Sequence, residues 1–244
     1  MPSWVRWRKA RGVPAEPLVL LPGMMCDGRL FGPQIARFGR DRAVHLGNIT
    51  GAATVPEIAA HVLADAPPRF ALAGLSMGGI VAMEIMVQAP ERVTRLALMD
   101  TNPKAEVAAV AQAREPQIAA VVDGQLAPVM RDEMKPNYLA PGPRRAEVLD
   151  LVLDMAMGLG PDVFVRQSRA LQVRPDQQET LRGVTVPSLI LCGVHDALCP
   201  IHRHELMASL IPDAVLEVVD GAGHLPTLEQ PEAVIAAMET WLAA

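Results

Sequence analysis

Ser76 is the residue of this chain whose surroundings most clearly favour nucleophilic chemistry. It lies at the centre of the sequence Gly74-Leu75-Ser76-Met77-Gly78, between an apolar run and a helix-like run. This Gly-x-Ser-x-Gly pattern is typical of a sharp strand-to-helix turn that exposes a serine hydroxyl above the edge of a sheet. The two glycines are expected where the strand and helix backbones approach too closely for a Cβ atom. The turn also directs the backbone N–H of Met77 at a developing oxyanion.

Two downstream residues supply what a serine nucleophile needs. Serine attacks efficiently when a histidine removes its proton and a carboxylate holds that histidine in the correct tautomer. His224 follows the strand-like run 215–219, and Asp196 follows the strand-like run 188–192. The order Ser76, Asp196, His224 is one in which such triads occur. Gly-x-Ser-x-Gly alone is a weak signal, but these partners strengthen the prediction of Ser76 as nucleophile, His224 as base and Asp196 as acid.

The sequence leaves alternatives to these assignments open. Asp100 also follows a strand-like run, so it is a second candidate for the carboxylate. His195 is more readily interpreted as a loop residue than as the base. His202 and His204 suggest a metal site, but positions i and i+2 of a helix do not face each other, which favours a solvated helix start. We therefore predict no metal site, and the glycines form no dinucleotide- or phosphate-binding motif.

Four motifs together resemble those of the α/β-hydrolase superfamily, and the resemblance covers most of the chain. In order, they match the oxyanion loop, the nucleophile elbow, the acid loop and the histidine loop: Leu20-Leu21-Pro22-Gly23-Met24-Met25, Gly74-Leu75-Ser76-Met77-Gly78-Gly79, Gly193-Val194-His195-Asp196-Ala197-Leu198-Cys199-Pro200 and Gly223-His224-Leu225-Pro226-Thr227-Leu228-Glu229-Gln230-Pro231. Small bacterial carboxylesterases and the enol-lactonase branch are the most similar members. The motifs are specific for the superfamily and much less specific for the substrate.

The resemblance implies a second oxyanion donor besides the Met77 N–H. In this superfamily that donor comes from the loop after the first central strand, which corresponds here to the backbone N–H of Met24. A histidine commonly precedes the glycine of this loop, whereas this chain has Pro22 before Gly23. Backbone donation by Met24 survives that difference, but the hydrogen bonds of the usual histidine are lost.

The elements that must position these residues alternate between strands and helices. Apolar runs predict strands over Leu18–Leu21, Ala43–Leu46, Phe70–Ala73, Arg95–Met99, Ser188–Cys192 and Val215–Val219. Amphipathic runs predict helices near Arg29–Arg37, Val55–Ala64, Gly78–Ala89, Ile201–Leu210 and Glu232–Leu242. This α/β pattern indicates a mostly parallel, doubly wound sheet of about six to seven strands with helices on both faces. One further edge strand is expected within residues 4–8.

A segment without strands interrupts this alternation. Residues 102–178 contain three helix-like runs, Lys104–Arg114, Arg144–Met157 and Asp162–Val173, punctuated by prolines. By resemblance, such an insertion is a helical cap or lid over the active site. We therefore divide the chain into a hydrolase core of residues 1–101 and 179–244 and a cap of residues 102–178. The alternative is a helical layer that only adds to the core.

Composition narrows the possible partners and location. The net charge of −5 argues against nucleic acid and against anionic membrane surfaces. No apolar run approaches a membrane-spanning length. Three cysteines in a sequence without a recognisable export signal favour reduced thiols and a cytoplasmic location. The expected partner is therefore a small molecule, and the oligomeric state is not indicated.

These observations predict a serine-dependent hydrolase that cleaves an ester or lactone of a small to medium substrate without a cofactor. The same triad also serves thioesterases and carbon–carbon bond hydrolases. A non-catalytic small-molecule receptor on the same scaffold is the alternative outside the enzymes. Methionines of the insertion, such as Met130 and Met155, are candidates for an adaptable pocket wall, although methionines at helical spacing more often belong to the core. A solvated helix face is the more frequent role for any one arginine of the insertion. The candidates for binding a substrate carboxylate are Arg131, Arg144, Arg145, Arg166 and Arg169.

Overall fold

A single sheet of six parallel strands organises the described part of the chain. The computed structural model describes residues 15–134 and 137–244, so the edge strand expected within residues 4–8 lies outside the described residues. The strands have the spatial order β2-β1-β3-β4-β5-β6. They are β1 (Ala15–Leu21), β2 (Arg42–Leu46), β3 (Phe70–Leu75), β4 (Val93–Met99), β5 (Ser188–Gly193) and β6 (Val215–Val219). The predicted fold class is thus confirmed, with six strands.

Each predicted apolar run coincides with one of these strands because most of the sheet is covered on both faces. β3 and β5 are buried along their whole length. Parallel strands covered on both faces need apolar side chains at every position, so they read as continuous apolar runs rather than as alternating patterns.

The strand order reverses between β1 and β3, because β2 is added on one side of β1 and all later strands are added on the other. β1 pairs with β2 on one side and with β3 on the other. The connections that leave β1 and β3 therefore diverge, which opens a crevice at the carboxyl ends of these strands. Ligands of open parallel sheets bind in this crevice. Met24 follows β1 and Ser76 follows β3, so both lie at this edge.

Two apolar layers hold helices against the two faces of the sheet. Val19 and Leu21 of β1 belong to the first layer, and Leu18 and Leu20 belong to the second. The helices of the core are α1 (Gly32–Phe38), α2 (Val55–Asp65), α3 (Met77–Gln88), α9 (Ile201–Leu210), α10 (Pro226–Glu229) and α11 (Pro231–Ala243). No helix within the described ranges is long and apolar enough to cross a membrane.

The segment between β4 and β5 consists of helices joined by loops, and its described residues contain no strand. Its helices are α4 (Ala108–Val122), α5 (Leu126–Pro128), a π-helical turn (Val129–Met134), α6 (Arg145–Leu159), α7 (Pro161–Gln172) and α8 (Gln178–Arg182). The second and third predicted helices of the insertion coincide with α6 and α7.

The first predicted helix of the insertion, Lys104–Arg114, was wrong in both bounds. The helix α4 begins at Ala108 and continues through Pro116. A proline inside a helix costs about 3 kcal/mol, which is why the sequence pattern suggested an end before it. Ile118 and Val121 lie beyond the proline and are both buried. Their burial against the first apolar layer offsets the unfavourable proline.

Candidate functional site

Ser76 occupies a strained turn between β3 and α3. Its backbone has φ 54° and ψ −116°, in a region that non-glycine residues rarely adopt. A Cβ atom on Gly74 would clash with the Gly78 carbonyl, and a Cβ on Gly78 would clash with the Leu21 carbonyl. Both glycines are therefore required by close backbone packing, as the sequence predicted. The result is a serine held over the first turn of α3.

Thr101 and His204 stabilise this turn through hydrogen bonds, a role that was not identified from the sequence. The Thr101 hydroxyl donates a 2.7 Å hydrogen bond to the carbonyl of Ser76, and the Thr101 N–H donates to His204 Nε2 at 3.2 Å. His204 is fully buried, so its interpretation as part of a solvated helix start was wrong. Burial lowers the pKa of His204 to about 4, which keeps the ring neutral and able to accept this hydrogen bond.

The structure brings Ser76, His224 and Asp196 together in one hydrogen-bonded chain. Ser76 Oγ lies 2.9 Å from His224 Nε2, and His224 Nδ1 lies 2.8 Å from Asp196 Oδ2. With Asp196 ionised, Nδ1 carries the ring proton and donates it to the carboxylate, which leaves Nε2 free to accept the serine proton. His224 and Asp196 are both buried, so the hydrogen bond between them is shielded from water.

Asp196 is held in its ionised form by its hydrogen bonds. Its Oδ1 accepts from the backbone N–H groups of Leu198 at 2.8 Å and Cys199 at 3.0 Å. Burial alone would raise the pKa of Asp196, but the hydrogen bond from His224 and those from the backbone outweigh it and lower that pKa. Asp196 is therefore a carboxylate at neutral pH.

Asp100, the alternative acid, has different partners. Its side chain is fully buried, and Oδ1 accepts a 3.0 Å hydrogen bond from the Gly193 N–H. It makes no hydrogen bond to His224 among the described residues. Burial, and then the neighbouring Asp196 charge, raise the pKa of Asp100 well above its usual value. Two adjacent carboxyls in a dry site do not both ionise, so Asp100 is the protonated member of the pair.

The loop that carries His224 is fixed by Glu229, a residue to which the sequence analysis assigned no role. One Glu229 carboxylate oxygen accepts from the Gly223 N–H at 3.0 Å and from the Ala140 N–H at 2.8 Å, while the other accepts from the Leu225 N–H at 3.0 Å. Glu229 therefore ties the histidine loop to the segment between the π-helical turn and α6. The only sequence signal was its place five residues after the histidine.

Tyr138 makes a second contact between the insertion and the histidine loop. The backbone N–H of His224 donates a hydrogen bond to the backbone carbonyl of Tyr138 at 2.6 Å. The two rings meet edge to face, with centroids 5.3 Å apart. Residues of the insertion therefore help to orient the imidazole.

The loop after β1 lies beside Ser76 and is held by α7. A Cβ atom on Gly23 would lie 3.4 Å from the Ser76 Cβ. Met25 has a positive φ of 55°, and its N–H donates at 2.8 Å to Gln167 Oε1 of α7. The backbone N–H groups of Met24 and Met77 donate to no protein acceptor among the described residues. Gln167, fully buried, is a positioning residue that the sequence pattern did not reveal.

A cavity of about 970 Å³ opens over Ser76 and His224. Its methionines are Met24, Met77 and Met134. The prediction of Met130 and Met155 as pocket residues was wrong because both are fully buried in the apolar layers. A methionine at helical spacing packs into the core unless its helix face borders the cavity.

None of the five arginines proposed as carboxylate ligands lines this cavity. Arg131, Arg144 and Arg169 pair with neighbouring acids toward solvent. Arg166 and Arg145 donate to the backbone carbonyls of Thr50 and Leu139. The arginines on the cavity wall are Arg114, Arg174 and Arg203.

The donor atoms in the site fit proton transfer better than metal binding. In the described ranges, one group brings potential ligand atoms together: Asp196, Cys199 and His224. Both ring nitrogens of His224 already serve Asp196 and Ser76. Burial, which dominates over neighbouring charges, raises the pKa of the Cys199 thiol, and a protonated thiol is a poor metal ligand.

The chain is similar in sequence and in structure to named esterases. A pimeloyl-[acyl-carrier protein] methyl ester esterase from Vibrio parahaemolyticus is 25% identical over 228 residues, which cover 87% of this chain and 89% of that protein. A thermophilic esterase from Thermogutta terrifontis, solved with malate bound, has 27% identity and a TM-score of 0.84 over 93% of this chain and 89% of that one.

A second solved structure extends the similarity in fold. The enol-lactonase from Burkholderia xenovorans superposes with a TM-score of 0.84 at 20% identity, covering 96% of this chain and 94% of that chain. The model of the alpha/beta hydrolase family matches residues 17–237, nearly the whole chain. The chain therefore belongs to the α/β-hydrolase family, as its motifs predicted.

Proposed function

We propose that this protein hydrolyses a carboxylic ester or lactone of a small to medium substrate through an acyl-enzyme on Ser76. The observation that carries this proposal is the continuous hydrogen-bonded chain from Ser76 through His224 to Asp196, at the floor of a large cavity. The esterases among its relatives support the same reaction class. The substrate is a small molecule, and no cofactor is required by this chemistry.

In the proposed mechanism, Ser76 Oγ attacks the substrate carbonyl as His224 Nε2 accepts its proton. Asp196 stabilises the resulting imidazolium and keeps the ring oriented. The backbone N–H groups of Met24 and Met77 stabilise the oxyanion. Each such donor contributes about 3–4 kcal/mol of transition-state stabilisation. His224 then protonates the leaving alcohol, and a water activated by the same histidine releases the acid.

Residues 102–178 act as a cap in this proposal, and residues 1–101 and 179–244 form the hydrolase core. Residues of the insertion line the cavity, contact the His224 loop through Tyr138 and hold the loop after β1 through Gln167. We also propose a cytoplasmic location. The three cysteines form no disulfide and are buried, as expected for reduced thiols.

The test is an activity screen with wild type and Ser76→Ala over p-nitrophenyl esters of graded length, lactones and thioesters. Wild type is expected to hydrolyse esters or lactones and to be labelled at Ser76 by a fluorophosphonate. Ser76→Ala should lose activity by orders of magnitude and keep its melting temperature. Full activity in the variant, or labelling elsewhere, contradicts the assignment. Binding without turnover of any substrate identifies a receptor, whereas exclusive thioester cleavage identifies a thioesterase.

A further inference from the structure

Three arginines from separate elements face the cavity that contains Ser76 and His224. Arg114 lies in α4, Arg174 follows α7, and Arg203 lies in the first turn of α9. Arg114 and Arg174 are 60 positions apart, and Arg203 lies 29 positions beyond Arg174, so only the folded chain brings them to one wall. The proposed mechanism uses none of them.

Among the described residues, one acid forms ion pairs with this arginine cluster. Glu106 bridges two of the arginines, with 3.0 Å to Arg114 and 3.1 Å to Arg174. The side chains of Glu106 and Arg174 are only 5% and 9% exposed. One buried carboxylate is thus shared by two guanidinium groups. Arg203 makes no side-chain ion pair within the described ranges, so the cluster keeps an excess of positive charge.

Donors in this cluster also remain unused. The Nε atoms of Arg114 and Arg174 are buried and have no hydrogen-bond partner among the described residues. Burial lowers the pKa of Arg174, Glu106 opposes that effect, and the nearby charges of Arg114 and Arg203 lower it further. Placing excess positive charge away from water is unfavourable unless an anion joins it.

Two further acids on the wall, Glu133 and Asp176, form no ion pair with the three arginines within the described ranges. Glu133 accepts a hydrogen bond from Gln117, and Asp176 accepts from Gln178. Lys104 adds a further positive charge to the wall. The wall therefore carries four Lys and Arg side chains and three Glu and Asp side chains, which leaves one positive charge for an external anion.

We propose that Arg114 and Arg174, assisted by Arg203, bind a carboxylate of the substrate at a distance from the scissile bond. The inference rests on the proposed function and narrows the substrate class to acidic esters or lactones, such as the monoester of a dicarboxylic acid. Guanidinium groups match the planar carboxylate with paired N–H donors. The neutral part of the substrate spans the cavity between this subsite and Ser76.

The test compares p-nitrophenyl esters that end in a carboxylate with esters of equal length that end in a carboxamide. Wild type should prefer the carboxylate at one or more chain lengths. Arg174→Gln and the double variant Arg114→Gln/Arg174→Gln should lower kcat/KM for the carboxylate ester by about tenfold to a hundredfold, as expected for lost charged hydrogen bonds. For the carboxamide ester, kcat/KM should change by less than about threefold, because this ester has no carboxylate for the arginines to bind.

Arg169→Gln is the matched control, because Arg169 pairs with Glu115 and does not line the cavity. This substitution should leave kcat/KM unchanged for both the carboxylate and the carboxamide esters. Equal losses for carboxylate and carboxamide esters in the Arg174 variant, or a wild type without carboxylate preference at any length, overturn the proposal. If the Arg174 variants do not fold, Arg203→Gln tests the same selectivity without breaking the Glu106 bridge.

A binding measurement separates failure of this subsite from failure of the proposed function. Calorimetry on Ser76→Ala should show binding of linear dicarboxylates such as glutarate, weaker binding of the matching diamide, and loss of the difference with Arg174→Gln. This readout does not depend on turnover. Equal affinity for dicarboxylate and diamide overturns the subsite. Tighter binding of an alkyl phosphate of equal length overturns the choice of a carboxylate. Ser76-dependent hydrolysis without carboxylate preference removes the subsite but keeps the hydrolase.

Discussion

At the scale of single residues, two neighbouring aspartates differ in charge state because their hydrogen bonds differ. Asp196 accepts from His224 and two backbone N–H groups, which keeps it ionised. Asp100 accepts from Gly193 in a fully buried setting beside that charge, which keeps it protonated. Both aspartates follow strands, so the local sequence does not distinguish them. Their different hydrogen-bond partners in the folded structure determine which one acts as the acid.

Asp196→Asn is expected to reduce kcat for ester hydrolysis by about two to four orders of magnitude, because the amide no longer fixes the productive tautomer of His224. Asp100→Asn should reduce kcat by less than about tenfold, because a neutral amide replaces a neutral acid. Asparagine also tolerates the positive φ of 44° at this position. Steady-state kinetics of both variants check this prediction. A larger loss in Asp100→Asn than in Asp196→Asn would assign the acid to Asp100.

The same Asp100 variant should change the pH dependence of stability. In wild type the folded state binds the Asp100 proton more tightly than the unfolded chain, whose pKa is 3.8. The stability contribution is therefore fully present below pH 3.8 and is lost as the pH rises toward the raised pKa of the folded state. The unfolding free energy of wild type should fall relative to Asp100→Asn over this range. Urea denaturation from pH 4 to 8 measures it, and parallel curves for the two proteins would contradict the raised pKa.

At the scale of elements, the insertion and the core position the site together. Helix α7 reaches the loop after β1 through Gln167, which accepts from Met25 and donates to the Ile49 carbonyl at 3.3 Å. Glu229 joins the histidine loop to the segment before α6. Side chains of one element thus hold backbone groups of another, which keeps the proposed oxyanion donors and the base at fixed separation.

Gln167→Leu is expected to lower kcat with little change in KM, because the Met25 N–H loses its acceptor and the adjacent Met24 N–H loses its fixed direction. The upper limit is the loss of one oxyanion donor, about 10²–10³ in kcat. Gln172→Leu serves as the control. Gln172 lies on the same helix, and its side chain donates to the Ala111 carbonyl and to the exposed Glu115. Kinetics and thermal unfolding of both variants test the role. A lowered melting temperature with unchanged kcat would make Gln167 a packing residue only.

At the scale of the whole molecule, one cavity combines side chains from the sheet edge, α4, α7 and α9. Met134 lies on its wall at the end of the π-helical turn, half-buried. Met155 is fully buried in the second apolar layer. The two methionines belong to the same insertion but have different surroundings, so substitutions at the two positions should affect different properties.

Met134→Ala should shift the preferred acyl chain of p-nitrophenyl esters to greater length and leave the rate with the acetate nearly unchanged. Each methylene contributes about 1–3 kcal/mol of discrimination in such a pocket. Met155→Ala should keep the length profile and lower the free energy of unfolding by about 2–5 kcal/mol, because it leaves a cavity in the core. Rates across the ester series and denaturation curves distinguish the two effects. An unchanged profile in Met134→Ala would place chain-length specificity in the core loops.

The amino-acid sequence by itself predicted the fold class, the six strands of the described residues, the esterase-like hydrolase class and the meeting of Ser76 with His224 and Asp196. It did so because these features depend on local patterns. Strands buried on both faces are continuously apolar, and a nucleophile turn needs glycines such as Gly74 and Gly78 at fixed offsets. Helices α6 and α7 were likewise evident from periodicity.

Only the tertiary structure decided which side chains support or line the site. Gln167 lies 142 positions from the Met25 it holds, and Glu229 lies 89 positions from Ala140. Arg174 faces the cavity while Arg169, five residues earlier, faces solvent. Contacts at such separations leave no periodic signal, because they depend on how helices pack rather than on what surrounds each residue along the chain. The continuation of α4 through Pro116 has the same cause, since burial of the residues beyond it outweighs a local preference.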